Sequence, residues 1–142
     1  MFLKNRKDPS KKILIRVPSR TQYIRKVSSR LLSGLDRYDI DENRLFDIRL
    51  CVEEAVRNAM VHGNNSDGKL SVKTAYWVDN GELNIEIEDE GPGFDHVNVD
   101  DPTHPEHIMK NSGRGVYLIK KLMDRVEYND KGNKVTMVKR LK

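Results

Sequence analysis

Apolar residues recur along this chain with two different periods, and the period decides which element each stretch can form. Across residues 12–18, Ile13, Ile15 and Val17 fall on every second position, which predicts a strand with one buried face. Pro18 ends it, having no N–H to give to a ladder. Ile24, Val27, Leu31 and Leu35 then keep the three-and-four spacing of a helix face, so a helix is predicted over residues 20 to about 34, with Ser19 as N-cap and Gly34 at its close. A second helix is predicted from 42 to about 62, capped by Asp41 and ended by His62-Gly63-Asn64-Asn65, with Ile48, Val52, Ala55 and Ala59 as its apolar stripe. Alternation returns over 69–78 and 82–89, two strands joined by Asp79-Asn80-Gly81 with its Asn-Gly hairpin signal. In the second of them Leu83, Ile85 and Ile87 alternate with Asn84, Glu86 and Glu88, giving one buried face and one wet face. Gly113-Arg114-Gly115 opens a third helix to about residue 124, and a last hairpin pairs 125–128 with 134–141.

Strand, helix, helix, two strands, a polar stretch, helix and two strands is an order of hairpins with helices collected to one side. It predicts an α+β two-layer sandwich, a mixed but mostly antiparallel sheet covered by about three helices. Residues 1–11 read as a charged, flexible arm, 12–142 as a single domain, and the polar stretch at about 94–112 as a lid, since long loops in compact domains are usually functional. A length of 142 residues suits one core, and the single Cys51 excludes an internal disulfide framework and suggests a small, partly buried residue in a reducing compartment. The N-terminal stretch has no signal-peptide core, and no apolar run approaches the roughly 20 residues of a membrane span, so a cytoplasmic protein without a membrane partner is expected. The net charge of +4 is spread through several segments rather than set on one face with stacking aromatics, which argues against direct nucleic-acid binding and leaves acidic protein surfaces or a nucleotide as partners.

Three segments carry candidate chemistry. A helix turns about 100° per residue, so Glu54 and Asn58 share a stripe at the edge of the buried face, while Glu53 and Arg57 point to a solvated one. An amide oxygen is a hard neutral ligand suited to Mg²⁺, and a carboxylate can take a proton from a nucleophile. Asp89-x-Gly91-x-Gly93 follows a strand: a carboxylate there can accept from the amino group of adenine, and the glycines let backbone approach a ligand. Ser112-Gly113-Arg114-Gly115 leads into a helix whose free N–H groups bind anions, with Arg114 and Lys110 able to add charge. Each segment alone also fits a plain reading, as a half-exposed helix face, a turn and a glycine-rich bend. A dinucleotide fingerprint fails because Leu118 stands where its third glycine belongs, and no Gly-Lys-Ser/Thr is present. His104-x-x-His107 is a thinner, competing metal pattern, Tyr76, Trp77 and Tyr117 read as core or interface, and His62 either faces a nucleotide or caps helix carbonyls.

Taken together, Glu54-x-x-x-Asn58 with His62-Gly63, then Asp89-x-Gly91-x-Gly93, then Gly113-x-Gly115 before a helix resemble the N, G1 and G2 boxes of the GHKL ATPase superfamily, the Bergerat fold. Within it, the small size, short lid and the run from Ser112 to Asp124 are similar to the anti-sigma regulatory serine/threonine kinases of bacterial partner-switching systems. The resemblance covers about residues 12–141. It implies that Glu54 is the general base, Asn58 the Mg²⁺ ligand and Asp89 the adenine acid, that Gly91, Gly93, Gly113 and Gly115 line the nucleotide, that Thr136 assists Asp89, and that Arg25 meets a partner. It further implies ATP and Mg²⁺ as cofactors, an antagonist protein of the STAS, anti-anti-sigma type as substrate, a sigma factor or other target, and a homodimer. The competing expectation is a non-catalytic module that binds adenine nucleotide and sequesters its partner.

Overall fold

The computed structural model describes residues 11–92 and 111–142. Gly93, Lys110, His104, His107, nearly all of the expected lid and the arm up to residue 10 therefore lie outside the described residues.

Five strands form one sheet in the order β1-β2-β3-β5-β4, with β1 at Ile13–Pro18, β2 at Ser71–Asp79, β3 at Glu82–Glu88, β4 at Arg125–Tyr128 and β5 at Lys134–Arg140. Every pairing is antiparallel, so the expectation of a mixed sheet is corrected. The two hairpins enforce reversal, and β5 returns beside β3 in the opposite sense. At the β2–β3 turn Asn80 and Gly81 both take positive φ, 51° and 78°, the twist that a two-residue hairpin needs.

The three helices are α1 at Ile24–Ser33, α2 at Glu42–Asn58 and α3 at Asn111–Leu122. Their apolar stripes meet the inner sheet face: Val27, Leu31, Ile48, Val52 and Ile119 are fully buried with Leu83, Ile85 and Met137. Each such Leu or Ile contributes about 1.5–3 kcal/mol by leaving water. The other sheet face carries Lys12, Lys73, Glu86, Glu88 and Lys134, and among the described residues no helix covers it. Among the described residues no helix is long and apolar enough to cross a membrane.

Local capping follows the sequence in one helix and departs from it in the other. Asp41 caps α2, its carboxylate accepting the Arg44 N–H at 2.8 Å, and that bond with the Arg44 guanidinium holds the carboxyl below its ordinary range. Ser19 does not cap α1, which begins after a tight 3₁₀ turn at Thr21–Tyr23 with no side-chain cap. The Ser19 hydroxyl is buried and donates instead to the Leu70 carbonyl at 2.9 Å. Gly34 keeps an ordinary helical φ of −68°; its missing side chain makes room for Tyr76, whose phenol oxygen would lie 2.0 Å from a Cβ there.

Candidate functional site

The C-terminal half of α2 builds one wall of the site. Glu54 and Asn58 share its half-buried edge, and Arg57 Nη1 lies 3.5 Å from Glu54 Oε1. Helix α3 lays Gly115 directly on the pair: a Cβ at 115 would stand 2.8 Å from Glu54 Oε2 and 3.0 Å from Asn58 Nδ2. Only glycine lets the start of α3 come so close. The neighbouring acid turns elsewhere. Glu53 is half-buried, and its Oε2 accepts a 2.6 Å hydrogen bond from the buried Ser28 hydroxyl on α1, so the expectation of a fully solvated Glu53 is corrected.

Beyond Asn58 the helix widens into a single π turn, Ala59–Gly63, closed by the Asn64 N–H donating to the Ala59 carbonyl at 2.9 Å. Such turns are uncommon and concentrate at functional sites. This one places Gly63 against the end of β3. A Cβ at Gly63 would lie 2.2 Å from Asp89 Oδ2, and one at Gly91 would lie 1.7 Å from the Gly63 carbonyl oxygen. Gly63 is thus pressed against the Asp89 carboxylate and, backbone to backbone, against Gly91.

Asp89 is only 6% exposed. Its Oδ1 accepts the Gly91 N–H at 2.8 Å. Burial pushes the carboxyl above its ordinary value, the Gly91 N–H pulls the other way, and Glu88 adds to the rise. From Asp89 a narrow cleft runs to Asn58, floored by Ala55, Ala59, Ile87 and Val135 and walled by Tyr128 and Asn133. Apolar side chains beside a carboxylate are the chemistry that recognises a flat ring carrying an amino group.

The far wall of this cleft was not legible in the sequence. The β4–β5 turn is tied by Asn129 Oδ1, which accepts the N–H groups of Gly132, Asn133 and Lys134 at 2.8, 3.0 and 3.2 Å. Asn133 then brackets Asp89: its carbonyl accepts the Asp89 N–H at 2.9 Å, and its amide donates to the Asp89 carbonyl at 3.3 Å. Thr136 is not there. It pairs with Glu86 and Glu127, whose alternation with Ile87 and Tyr128 puts it on the open face, so its expected role beside Asp89 is corrected. The alternation of Val135 and Met137 around Thr136 was a signal sufficient to show this.

The other expected residues divide as follows. Gly91, Asn58 and Asp89 converge on the cleft or its rim, with Glu54 beside Asn58. Gly113, Arg114 and Gly115 lie inside α3, Asn111–Leu122, so the expected opening at Gly113 is already helical. His62 is exposed and does not line the cleft. Arg25 stands on the outer face of α1. Tyr76 is core, Trp77 lies under Lys12 with the ammonium 4.7 Å from the ring, and Tyr117 is 5.3 Å from Lys121; none of the three lines the cleft.

The donor set fits a magnesium-bound nucleotide. Asn58 Nδ2 is buried without a hydrogen-bond partner among the described residues, and because amide N and O are interchangeable in placement, turning the head presents an unpaired oxygen instead. A buried amide in that state has hydrogen-bonding or ligating capacity to spare.

Known proteins resemble this chain in sequence and in fold. The chain is 28% identical to the serine-protein kinase RsbW of Listeria monocytogenes over 138 residues, which is 90% of this chain and 86% of that protein. It is also 28% identical to the serine-protein kinase RsbW of Staphylococcus aureus, over 92% of this chain and 87% of the relative. The crystal structure of the RsbU and RsbW domains of Rv1364c from Mycobacterium tuberculosis superposes with a TM-score of 0.65 at 20% identity, covering 93% of this chain. This chain spans 33% of that solved chain, and the likeness is one of fold. The model of the histidine kinase-like ATPase domain matches residues 17–139, and the chain belongs to that family.

Proposed function

We propose that this protein is an ATP-dependent serine/threonine protein kinase and anti-sigma-type regulator that phosphorylates a small antagonist protein in a partner-switching system. The observation that carries the reading is the placement of Glu54 and Asn58 at the glycine-lined start of α3, at one end of a cleft whose other end is Asp89. The relatives named as serine-protein kinases support the same activity.

In this reading Asp89 accepts from the adenine amino group, and the floor of Ala55, Ala59, Ile87 and Val135 packs on the base. The α3 N-terminus, with Gly113, Arg114 and Gly115, holds the phosphates, joined by Gly91, Gly93 and Lys110 of the adjoining segments. Asn58 holds Mg²⁺, which supplies neutralising charge to the phosphoryl oxygens when bound. Glu54 takes the proton of the attacking hydroxyl, and catalysis is mostly positioning and charge stabilisation. Arg25 meets the protein partner. The antagonist is of the STAS type, its rival for this protein is a sigma factor or another target, and the kinase is a cytoplasmic homodimer.

Incubating the protein with labelled ATP, Mg²⁺ and its antagonist tests the proposal. Phosphoserine or phosphothreonine is expected on the antagonist. Glu54→Ala should lower transfer by about a hundredfold or more while leaving nucleotide affinity within about threefold. Tight ATP binding with no phosphorylated partner would instead leave a nucleotide-dependent sequestering module.

A further inference from the structure

Asn64 is a polar residue with only 2% exposure, in a position whose sequence reads as a plain turn. Its side chain is nonetheless saturated. Nδ2 donates to the Ser19 hydroxyl at 2.7 Å and to the Ser71 carbonyl at 3.0 Å, and Oδ1 accepts the Glu90 N–H at 2.8 Å. Ser19 follows β1 and Ser71 begins β2, whereas Glu90 immediately follows Asp89. One amide therefore joins two strand ends to the peptide beside the acid at the cleft.

The contacts around it all bear on the same loop. Gly63 presses on the Asp89 carboxylate and on Gly91, and the Glu90 carboxylate folds back to accept the Ser71 N–H. Asp89 itself is held by Gly91 and Asn133 on its other sides. The direction of the Asp89 carboxylate is consequently fixed by the backbone on both sides of it. A buried, fully paired polar group rigidifies what it binds, because any motion leaves donors unsatisfied.

We infer that Asn64 is a positioning residue for base selection: through the Glu90 N–H it aims the Asp89 carboxylate so that an adenine amino group is accepted and a guanine carbonyl is repelled. The inference rests on the reading of Asp89 as the adenine acid, and it adds a residue that touches no nucleotide. A carboxylate free to swing would still accept a donor but would discriminate less, since discrimination requires the oxygen to be held where guanine presents its own oxygen.

The test measures affinity for ATP and GTP by calorimetry, melting temperature, and transfer rate at saturating ATP for three variants. Asn64→Ala frees the Glu90 N–H and is expected to weaken ATP binding about tenfold, to narrow the ATP-over-GTP preference in parallel, and to leave the saturating transfer rate within about twofold. Ser19→Ala removes the acceptor of one Asn64 bond together with the donor to the Leu70 carbonyl, leaves the Asn64 bond to the Glu90 N–H in place, and is expected to shift the same two quantities about threefold to fivefold. Should Asn64→Ala fail to fold, Ser19→Ala decides alone. Asp89→Asn is the reference, expected to abolish the preference outright. If Asp89→Asn does so while the folded Asn64 and Ser19 variants change melting temperature only, Asn64 is structural and the inference is overturned. If Asp89→Asn leaves the preference intact, the reading of Asp89 falls, and the inference with it.

Discussion

Asp89 and Thr74 are buried polar groups whose function and stability can be separated. Burial raises the Asp89 carboxyl, so the stability it contributes is present below its ordinary pKa of about 4 and is lost as pH rises through the raised value. At neutral pH the ionised group opposes folding. Asp89→Asn should therefore make the ligand-free protein more resistant to urea at pH 7, with the advantage shrinking as pH falls toward about 4, while ATP affinity drops by at least about tenfold. Equal loss of stability and affinity would show that the carboxylate holds the fold rather than the base. Glu86 has the opposite sign: burial raises it, but Lys12 and Lys134 at 3.1 and 3.4 Å outweigh that and hold it low. Its contribution is present above its ordinary pKa and lost in acid as pH falls through the lowered value. Thr74 is 0% exposed, and its hydroxyl has no hydrogen-bond partner among the described residues. Thr74→Val keeps the shape and removes the unsatisfied group, so it should stabilise by about 1 kcal/mol, read as a rise in the urea midpoint at unchanged slope.

At the scale of elements, the sharpest opposition is at the α2–α3 crossing. Replacing Gly115 by alanine should favour α3 by up to about 1 kcal/mol of helix propensity. The new Cβ, however, meets the Glu54 and Asn58 side-chain heads at 2.8 and 3.0 Å, and both heads must give way. The expected result is a melting temperature unchanged or raised together with a transfer rate reduced about tenfold or more, since small misplacements of a catalytic group carry large penalties. A fall in stability with normal transfer would mean that α3, not Glu54, yields. The same crossing shows what local sequence can convey. Period and caps were enough for α2, for the alternating strands and for the Glu54 and Asn58 pair, because each depends on neighbours within one or two turns. The bond that Ser28 donates to Glu53, and the long-range bonds of Ser19, Asn64 and Asn133, join partners 25 to 51 residues apart. Their polar character reads as turn or cap until the sheet register brings those partners in. Thr136 differs from these, because the alternation of its immediate neighbours is enough to assign it to the open face.

At the scale of the whole molecule, the two layers differ in how their charge is balanced. On the open sheet face Lys73 reaches Glu88 at 3.4 Å, Arg125 reaches Glu82 at 3.5 Å, and Glu86 takes both Lys12 and Lys134. Exposed pairs of this kind add little to stability, but they cancel the local field. The outer face of α1 has no such cancellation: Arg25, Lys26 and Arg30 are all exposed and, among the described residues, none is in an ion pair. Part of the net +4 is thereby presented on one helix, where it can steer an acidic partner. Raising ionic strength from about 0.05 to about 0.5 M should slow association with the antagonist by about tenfold or more, since the screening length falls well below the spacing of the partners at encounter. Arg25→Glu with Arg30→Glu should slow it comparably at low salt and flatten the salt dependence, whereas Lys73→Glu on the sheet should do neither, and ATP affinity should stay the same in both. Stopped-flow association rates decide between these outcomes. A rate that ignores salt and the α1 charges, yet responds to Lys73→Glu, would move the partner to the open sheet face and leave the basic helix as a solvated surface.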